Sequence, residues 1–216
     1  MMDLLRQFVD LFLHLDKHLT DVVNEYHTLT YLILFAIIFA ETGLVVVPFL
    51  PGDSLLFMAG SLCALDNAEL NVWYTFFILL AAAILGDTVN YSVGKAIGPR
   101  AFSGKVPFLK QSHLEQTQAF FAKYGGKTII MARFVPIVRT FAPFVAGVGT
   151  MNYGRFILYN VVGGLLWVGI CLAAGYWFGN IPLVKKNFSL VVLAIIGISV
   201  LPILLEMWKA RRAKAA

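Results

Sequence analysis

The fold of this chain is decided by the stretch ARFVPIVRTFAPFVAGVG, residues 132–149. The stretch is as apolar as a membrane span, yet it carries two arginines, Arg133 and Arg139, and two prolines, Pro136 and Pro143. Charge at membrane depth is costly, and backbone groups that proline leaves unpaired need partners there. The stretch therefore predicts a broken, re-entrant element that lines a protected polar cavity.

The composition of the 216 residues is typical of a membrane protein. Hydrophobic residues make up 59% of the chain, charged residues 13%, and the mean hydropathy is +0.79. These values exclude an ordinary soluble domain. The formal charge of +5 comes from basic residues beside apolar spans, which fits orientation in a bilayer and excludes a nucleic-acid partner. We expect one all-α integral membrane domain with an N-terminal amphipathic helix, about four transmembrane helices and two opposed re-entrant hairpins in an inverted repeat.

Changes of polarity divide residues 1–216 into successive segments. They are an amphipathic interfacial helix at 1–27, a first half at 28–93 with a re-entrant hairpin at 43–62, a cytoplasmic segment at 94–127, a second half at 128–178 with a re-entrant hairpin at 130–149, and a last transmembrane helix at 186–208. The amphipathic helix fits either the membrane interface or packing on the rest of the protein. Basic residues place the cytoplasmic segment and both termini on the cytoplasmic side.

Apolar periodicity and helix-end signals predict individual helices within these segments. Two long apolar helices are expected at 71–93 and 156–178. In the polar segment, Ser112 and Glu115 form a capping-box pattern, and glycines follow Tyr124. These signals predict a short helix from His113 to Tyr124.

Helix breakers and small residues define the two hairpins. The residues expected to shape them are Pro48, Pro51, Gly52, Pro136, Pro143 and Gly147. Asp53 is predicted at the tip of the first hairpin. A Val-Pro pair precedes an Ala-Gly pair in both hairpins, and the predicted crossings make the hairpins enter from opposite faces. This is the pattern of an inverted repeat with a substrate site at mid-membrane.

Charged and polar residues within or beside the membrane elements are candidates for the functional site. The charged ones are Glu41, Asp53, Asp87, Arg133 and Arg139. A purely structural cluster of ion pairs is one interpretation. Pairing leaves one carboxylate without a basic partner, however, and burial favours the protonated form of a carboxylate, so proton coupling is the other. The four histidines and two cysteines lack metal-ligand spacing, so no metal or cofactor is expected beyond protons as a coupling ion.

Three features of the chain resemble the DedA family of bacterial membrane proteins, which is related to the SNARE-associated Golgi or VTT-domain group. They are an acid before the first hairpin at Glu41, Pro-Gly-Asp at Pro51 to Asp53, and RFVPIVRTFAP at Arg133 to Pro143 with Ala-Gly following. The resemblance implies a multi-pass protein of the bacterial inner membrane. It also implies a role in envelope integrity, cell division and drug or alkaline tolerance, linked to proton motive force. It further implies movement of lipids such as undecaprenyl phosphate or phospholipids across the bilayer.

The resemblance and the charges together suggest a mechanism. Arg133 and Arg139 would bind a lipid phosphate, because arginine forks match phosphate oxygens. Glu41 and Asp53 would couple that binding to proton uptake. The auxiliary candidates are Asp87, Asn90, Ser54 and Thr140. Membrane lipids, through the phosphate head group, are the expected partners, and association between copies of the chain stays open.

Two other functional classes stay open beside transport. A non-transporting scaffold for envelope proteins fits the same composition. An intramembrane aspartyl hydrolase fits less well, because its Gly-Xxx-Gly-Asp signature would need glycine at Ile84, and no tyrosine precedes Asp53. We therefore expect that the chain is not an enzyme.

Overall fold

The computed structural model describes residues 29–44, 52–64, 70–98, 100, 111–149, 151–182 and 184. Over these residues the chain is helical, which confirms the all-α prediction. The helices are α1 (Leu29–Gly43), α2 (Gly52–Cys63), α3 (Val72–Ile97), α4 (Gln111–Tyr124), α5 (Thr128–Ala132), α6 (Pro136–Val148) and α7 (Tyr153–Gly179), with a 3-10 turn at Gly125–Lys127. The predicted helices at 1–27 and 186–208, and the hairpin residues Pro48 and Pro51, lie outside the described residues.

Among the described helices, α3 and α7 are the two that are long and apolar enough to cross a membrane. They contain 26 and 27 residues, so each is roughly 40 Å long, against a hydrocarbon core of about 30 Å. They match the helices predicted at 71–93 and 156–178. α1 and α2 are apolar but shorter, with 15 and 12 residues.

The polar helix α4 ends where the sequence predicts. Gly125 follows Tyr124 with a φ of +59°, a conformation that glycine adopts readily. The prediction for its start was wrong, because α4 begins at Gln111 and Ser112 therefore lies inside the first turn. Glutamine is a good helix former, so the helix extends past the polar residue that was expected to cap it.

The stretch at 132–149 contains a break between two helices. α5 ends at Ala132, and the amides of Phe134 and Val135 donate to carbonyls three residues earlier in a tight turn. Val135 is extended, with φ −123° and ψ 105°, as is typical of the residue before proline. Pro136 then starts α6, where its fixed φ suits the first helical position.

The described helices belong to two compact units. The small unit contains α2 and the end of α7 from Cys171. The large unit contains α3 from Trp73, α4, α5, α6, α1 from Tyr31 and α7 up to Ile170.

Close contact between α2 and α7 organises the small unit. The Ser61 hydroxyl donates to the Gly175 carbonyl at 2.9 Å. A Cβ atom on Gly60 would overlap the backbone of Leu172, and one on Gly175 would overlap the backbone of Phe57. Glycine at both positions therefore lets the two helix backbones approach closely, which is a common way to pack helices in membranes.

The large unit has its own apolar core and a similar close helix contact. The core residues are Tyr91, Ile129, Ala132, Val138, Ala142, Ala146 and Phe156. A Cβ atom on Gly147 of α6 would overlap the backbone of Tyr91 in α3, and one on Gly94 of α3 would overlap the backbone of Phe144 in α6. α6 is thus held directly against α3, which fixes the position of the arginine that α6 carries.

Candidate functional site

One buried ion pair joins Arg133 to Asp87 in the large unit. Arg133 Nη2 donates to Asp87 Oδ2 and to Asn160 Oδ1, both at 2.5 Å. Its side chain is 3% exposed, and that of Asp87 is 6% exposed. Asn160 is itself oriented by donation from its amide nitrogen to the Ile84 carbonyl at 3.1 Å. The turn after α5, the middle of α3 and the first half of α7 thus meet at one guanidinium group.

A second ion pair joins Arg139 to Glu41. Arg139 Nη2 lies 2.7 Å from Glu41 Oε1. The side chains are 12% and 8% exposed, so this pair is also largely buried. Glu41 lies near the end of α1, and Arg139 lies one turn into α6. The two arginines therefore pair with acids from different helices.

Trp167 lies beside both guanidinium groups. Arg139 Cζ is 4.0 Å from the centre of its ring system, and Arg133 Cζ is 5.6 Å away. The tryptophan is 1% exposed. A buried indole face attracts cations, so this residue stabilises both arginines at once.

One glycine of α7, Gly163, makes room for Arg133, and Gly164 is in ordinary contact with the arginine. A Cβ atom on Gly163 would lie 3.1 Å from Arg133 Cδ and Nε. One on Gly164 would lie 3.8 Å from Arg133 Nη2. A side chain at Gly163 would press on the arginine, so glycine there allows the guanidinium to reach Asp87 and Asn160.

Asn90 connects three helices next to the two ion pairs. Its amide nitrogen donates to the Thr42 carbonyl at 3.2 Å and to the Thr140 carbonyl at 2.9 Å, which joins α1 and α6 to α3. Among the described residues, the buried polar atoms without a hydrogen-bond partner include Asn90 Oδ1 and Arg133 Nε, both in this region. Buried polar atoms are normally paired, so these two atoms have unused hydrogen-bonding capacity.

The structure brings most of the predicted site residues together within the large unit. Glu41, Arg133 and Arg139 meet in the large unit with Asp87, Asn90 and Thr140, and we name these six residues together with Asn160 and Trp167 the charged centre. Asp53 and Ser54 belong to the small unit.

The first turn of α2 holds those two residues. Asp53 is exposed, and Ser54 is buried. An acid in the first turn stabilises a helix through its dipole, which gives Asp53 a local role as well.

The predicted hairpin residues have different structural roles. Gly52 is the first residue of α2, and Pro136 is the first of α6. Pro143 lies inside α6 and has no N–H to donate to the carbonyl of Arg139, one turn earlier. Gly147 contributes to helix packing rather than to a turn, because the backbone of α3 lies directly against it.

Sequence reasoning missed two residues of the charged centre. Asn160 and Trp167 lie on α7, which the apolar pattern identified only as a span. A signal was present, because the two residues are seven positions apart and therefore share one helix face. An asparagine inside an apolar span is a further indication of function.

Comparison with known proteins identifies the family of the chain. The model of the VTT domain matches residues 50–177. The chain is 52% identical to Protein DedA of Escherichia coli strain K12 over 215 residues, which is 99% of this chain and 98% of the relative.

Two more distant relatives are named as membrane proteins. An uncharacterized membrane protein of Mycobacterium leprae is 41% identical over 83% of this chain and 80% of its own length. The inner membrane protein YghB of Escherichia coli strain K12 is 35% identical over 80% of this chain and 75% of its own length. No solved structure matches the chain. With a matching domain model, a relative similar along nearly its whole length and two apolar helices of spanning length, the chain is a membrane protein that belongs to the DedA family.

Proposed function

We propose that the chain is a transporter that moves phosphate-bearing lipids, undecaprenyl phosphate or a phospholipid, across the bacterial inner membrane. Its activity would be linked to proton motive force and would support envelope integrity, cell division and tolerance of drugs or alkaline pH. The observation that carries this proposal is the pair of buried arginine–carboxylate contacts, Arg133 with Asp87 and Arg139 with Glu41. Ionisable groups at membrane depth are expensive and usually mark a substrate or ion pathway.

The chemistry of the charged centre suits a phosphate group. Guanidinium groups present planar pairs of donors that match phosphate oxygens, and two of them lie against one tryptophan ring. Arg133 Nε has no partner among the described residues, so it is a donor that a phosphate oxygen could accept from. The lipid tails would stay in the bilayer while the head group crosses.

Proton uptake would control the two arginines. Protonation of Glu41 would remove the charge that holds Arg139, and protonation of Asp87 would do the same for Arg133. Each freed arginine would then bind phosphate, and deprotonation would restore the ion pair and release the lipid. The proposal thus places Asp87 with Glu41 as a proton-coupling acid, a stronger role than the auxiliary one expected from sequence. Asp53 keeps its proposed coupling role as an exposed acid in the first turn of α2.

An inverted repeat with two re-entrant hairpins is part of this proposal. Matching contacts within each unit support it. Gly60 of α2 lies against Leu172 of α7, and Gly147 of α6 lies against Tyr91 of α3.

A second contact recurs three positions away on each helix. Phe57 faces Gly175 in the small unit, and Phe144 faces Gly94 in the large unit. Each short helix therefore packs on the long helix of the other sequence half by the same pattern. Packing between the two sequence halves in this reciprocal pattern is expected of an inverted repeat. The proposed topology has four spans and both termini in the cytoplasm.

Reconstitution into lipid vesicles tests the function directly. The measurement is the accessibility of labelled undecaprenyl phosphate or phospholipid head groups at the outer surface, with and without an imposed proton gradient. Transport without cleavage supports the proposal. Cleavage of a lipid or peptide would favour a hydrolase, and neither activity would favour the scaffold.

The proton link has its own test. Binding of a phosphate lipid to the purified protein should be tighter at acid than at alkaline pH, because the carboxylates and the phosphate compete for the arginines and protonation neutralises the carboxylates. The Glu41→Gln variant should bind with a weaker pH dependence. Affinity that stays flat across this range in the unmodified protein would remove proton coupling from the proposal while leaving transport intact.

A further inference from the structure

The large unit contains a cleft away from the charged centre. It has a volume of about 740 Å³ and lies between the second half of α4, the turn at Gly125–Lys127, the end of α6 and the start of α7. The lining residues that matter here are Gln118, Phe121, Met151, Asn152, Arg155 and Tyr159. We call it the α4–α7 cleft, and we propose that it binds the head group and upper chain of an anionic membrane lipid.

The depth of the cleft in the membrane favours a lipid. α7 begins at Tyr153 and is roughly 40 Å long, so its ends extend past a hydrocarbon core of about 30 Å. The start of α7 therefore lies among the lipid head groups. Tyr153 is 46% exposed and Leu158 is 61% exposed, so aromatic and then apolar surface follows along the helix. Tyrosine at head-group level and leucine below it are typical of a membrane surface.

The charge of the cleft favours an anionic head group. Arg155 lines it and is exposed in the first turn of α7, and no acidic residue is among the described residues that line the cleft. A cation in the first turn of a helix opposes the helix dipole, so Arg155 does not serve helix stability. Asn152 already caps α7 by accepting the Gly154 amide at 2.8 Å. Arg155 is therefore available for a partner outside the helix.

The wall of the cleft favours an amphiphile over a free anion. Phe121, Met151 and Tyr159 are partly buried and pack against the core of the large unit. Their apolar surface lines the same space as the Arg155 side chain. Gln118 and Asn152 add hydrogen-bonding groups beside it. A phosphate with an attached glycerol and acyl chain satisfies both parts of this surface, whereas inorganic phosphate satisfies only one.

Residue-resolved crosslinking tests the proposal. The full chain is placed in phosphatidylcholine nanodiscs that contain a phosphatidylglycerol probe with a diazirine near the start of one acyl chain. The same probe on phosphatidylcholine is the neutral comparison. After illumination, the crosslinked peptides are mapped by mass spectrometry, so lipid at this cleft is distinguished from lipid at Arg133 and Arg139.

We expect the anionic probe to label the peptides that contain Phe121 or Met151 at least about fivefold more than the neutral probe, the ratio that one arginine contributes near anionic lipid. Arg155→Gln should abolish the preference, and Gln118→Trp should reduce labelling by filling the cleft. Lys95→Gln removes an exposed positive charge at the end of α3 and should leave the labelling unchanged.

Three results of the probe comparison would overturn the proposal, and a fourth would come from competition with a soluble phosphate. The first three are equal labelling by both probes, a preference for the anionic probe that survives Arg155→Gln, and no labelling of these peptides. Excess glycerol phosphate is added as a competitor, to test whether the cleft binds a free anion. If it abolishes labelling at concentrations that leave the nanodisc intact, the cleft binds a soluble phosphate and not a lipid. Thermal unfolding of each variant confirms that the fold is kept, as expected for exposed positions.

Discussion

The guanidinium of Arg139 lies 4.0 Å from the ring centre of Trp167 while it donates to Glu41 at 2.7 Å. One cation is thus held by a carboxylate and by an aromatic face. The carboxylate can lose its charge by taking up a proton, but the ring cannot. Trp167 can therefore keep Arg139 in place when Glu41 is neutral, so that the arginine is freed electrostatically without leaving the site.

Replacing Trp167 should lower the stability of the protein, and the loss should be larger when no aromatic ring remains beside the arginines. We expect stability to fall from the unmodified protein to Trp167→Phe and to fall further in Trp167→Leu, because phenylalanine retains a ring that attracts cations and leucine does not. Unfolding in mixtures of a mild detergent and SDS measures the stability of each variant. The gap between the two variants should shrink in an Arg139→Gln background. Trp177→Leu is the control, since Trp177 is 75% exposed. An unchanged gap would show that packing alone explains the effect.

The Arg139–Glu41 pair should behave as one unit in a double-mutant cycle. Arg139→Gln and Glu41→Gln should each cost about 3–5 kcal/mol of stability, because each leaves one buried charge uncompensated. The double variant should cost clearly less than the sum of the single variants, since neither charge remains. The same SDS unfolding measures all three. Additive losses would contradict a direct, buried interaction.

Arg133→Lys should impair transport more than folding. Lysine keeps the positive charge opposite Asp87, but its single ammonium nitrogen cannot replace the several N–H donors of the planar guanidinium group. Loss of one charge-assisted hydrogen bond, about 1.5 kcal/mol, corresponds to roughly tenfold slower lipid transport in vesicles. Arg100→Lys, an exposed position, is the matched control and should transport normally. Full transport by Arg133→Lys would remove this arginine from the proposed substrate site.

Asp53→Glu separates proton coupling from local structure. Glutamate keeps an acid in the first turn of α2, so stability should stay within a few tenths of a kcal/mol of the unmodified protein. Its longer side chain moves the carboxylate, so proton-gradient-dependent transport should fall. Vesicle assays with and without the gradient measure this, and Glu115→Asp on the exposed face of α4 is the control. Unaltered gradient dependence would assign Asp53 to helix stability alone.

Two glycines of α7 should respond differently to alanine. Gly175→Ala should cost about 1–3 kcal/mol or more, because the new methyl group would overlap the backbone of Phe57. Gly169→Ala should be neutral or slightly stabilising, since the nearest atom to its Cβ would be on Phe76 at 3.8 Å. Thermal unfolding of the two variants compares them within one helix. Equal losses of stability in the two variants would show that close contact with α2 is not the reason for glycine at position 175.

The sequence predicted the elements because their signals are local. The long apolar runs predicted α3 and α7, and the glycines after Tyr124 predicted the end of α4. Pro136 predicted the break before α6 for the same reason, since proline restricts the residue before it wherever the chain folds.

The pairing of charges could not be predicted because it depends on which helices meet. Sequence alone offered three acids for two arginines, and nothing in the spacing told Asp87 from Asp53. The close contact of Gly147 with α3 helps to decide the matter, because it holds α6, and with it the preceding turn that carries Arg133, beside the helix that carries Asp87. Asn160 and Trp167 were missed because a lone asparagine and a tryptophan fit an ordinary span until the arginines are placed next to them.

The Glu41–Arg139 contact also has a consequence for membrane insertion, because the acid is synthesised well before the arginine that pairs with it. The two residues are 98 positions apart, so at 5–20 residues per second Glu41 leaves the ribosome roughly 5–20 seconds before its cation. During that interval α1 carries an acid for which the later cation does not yet exist. The nascent helix must therefore wait in a hydrated or assisted environment, or hold a proton, until α6 arrives.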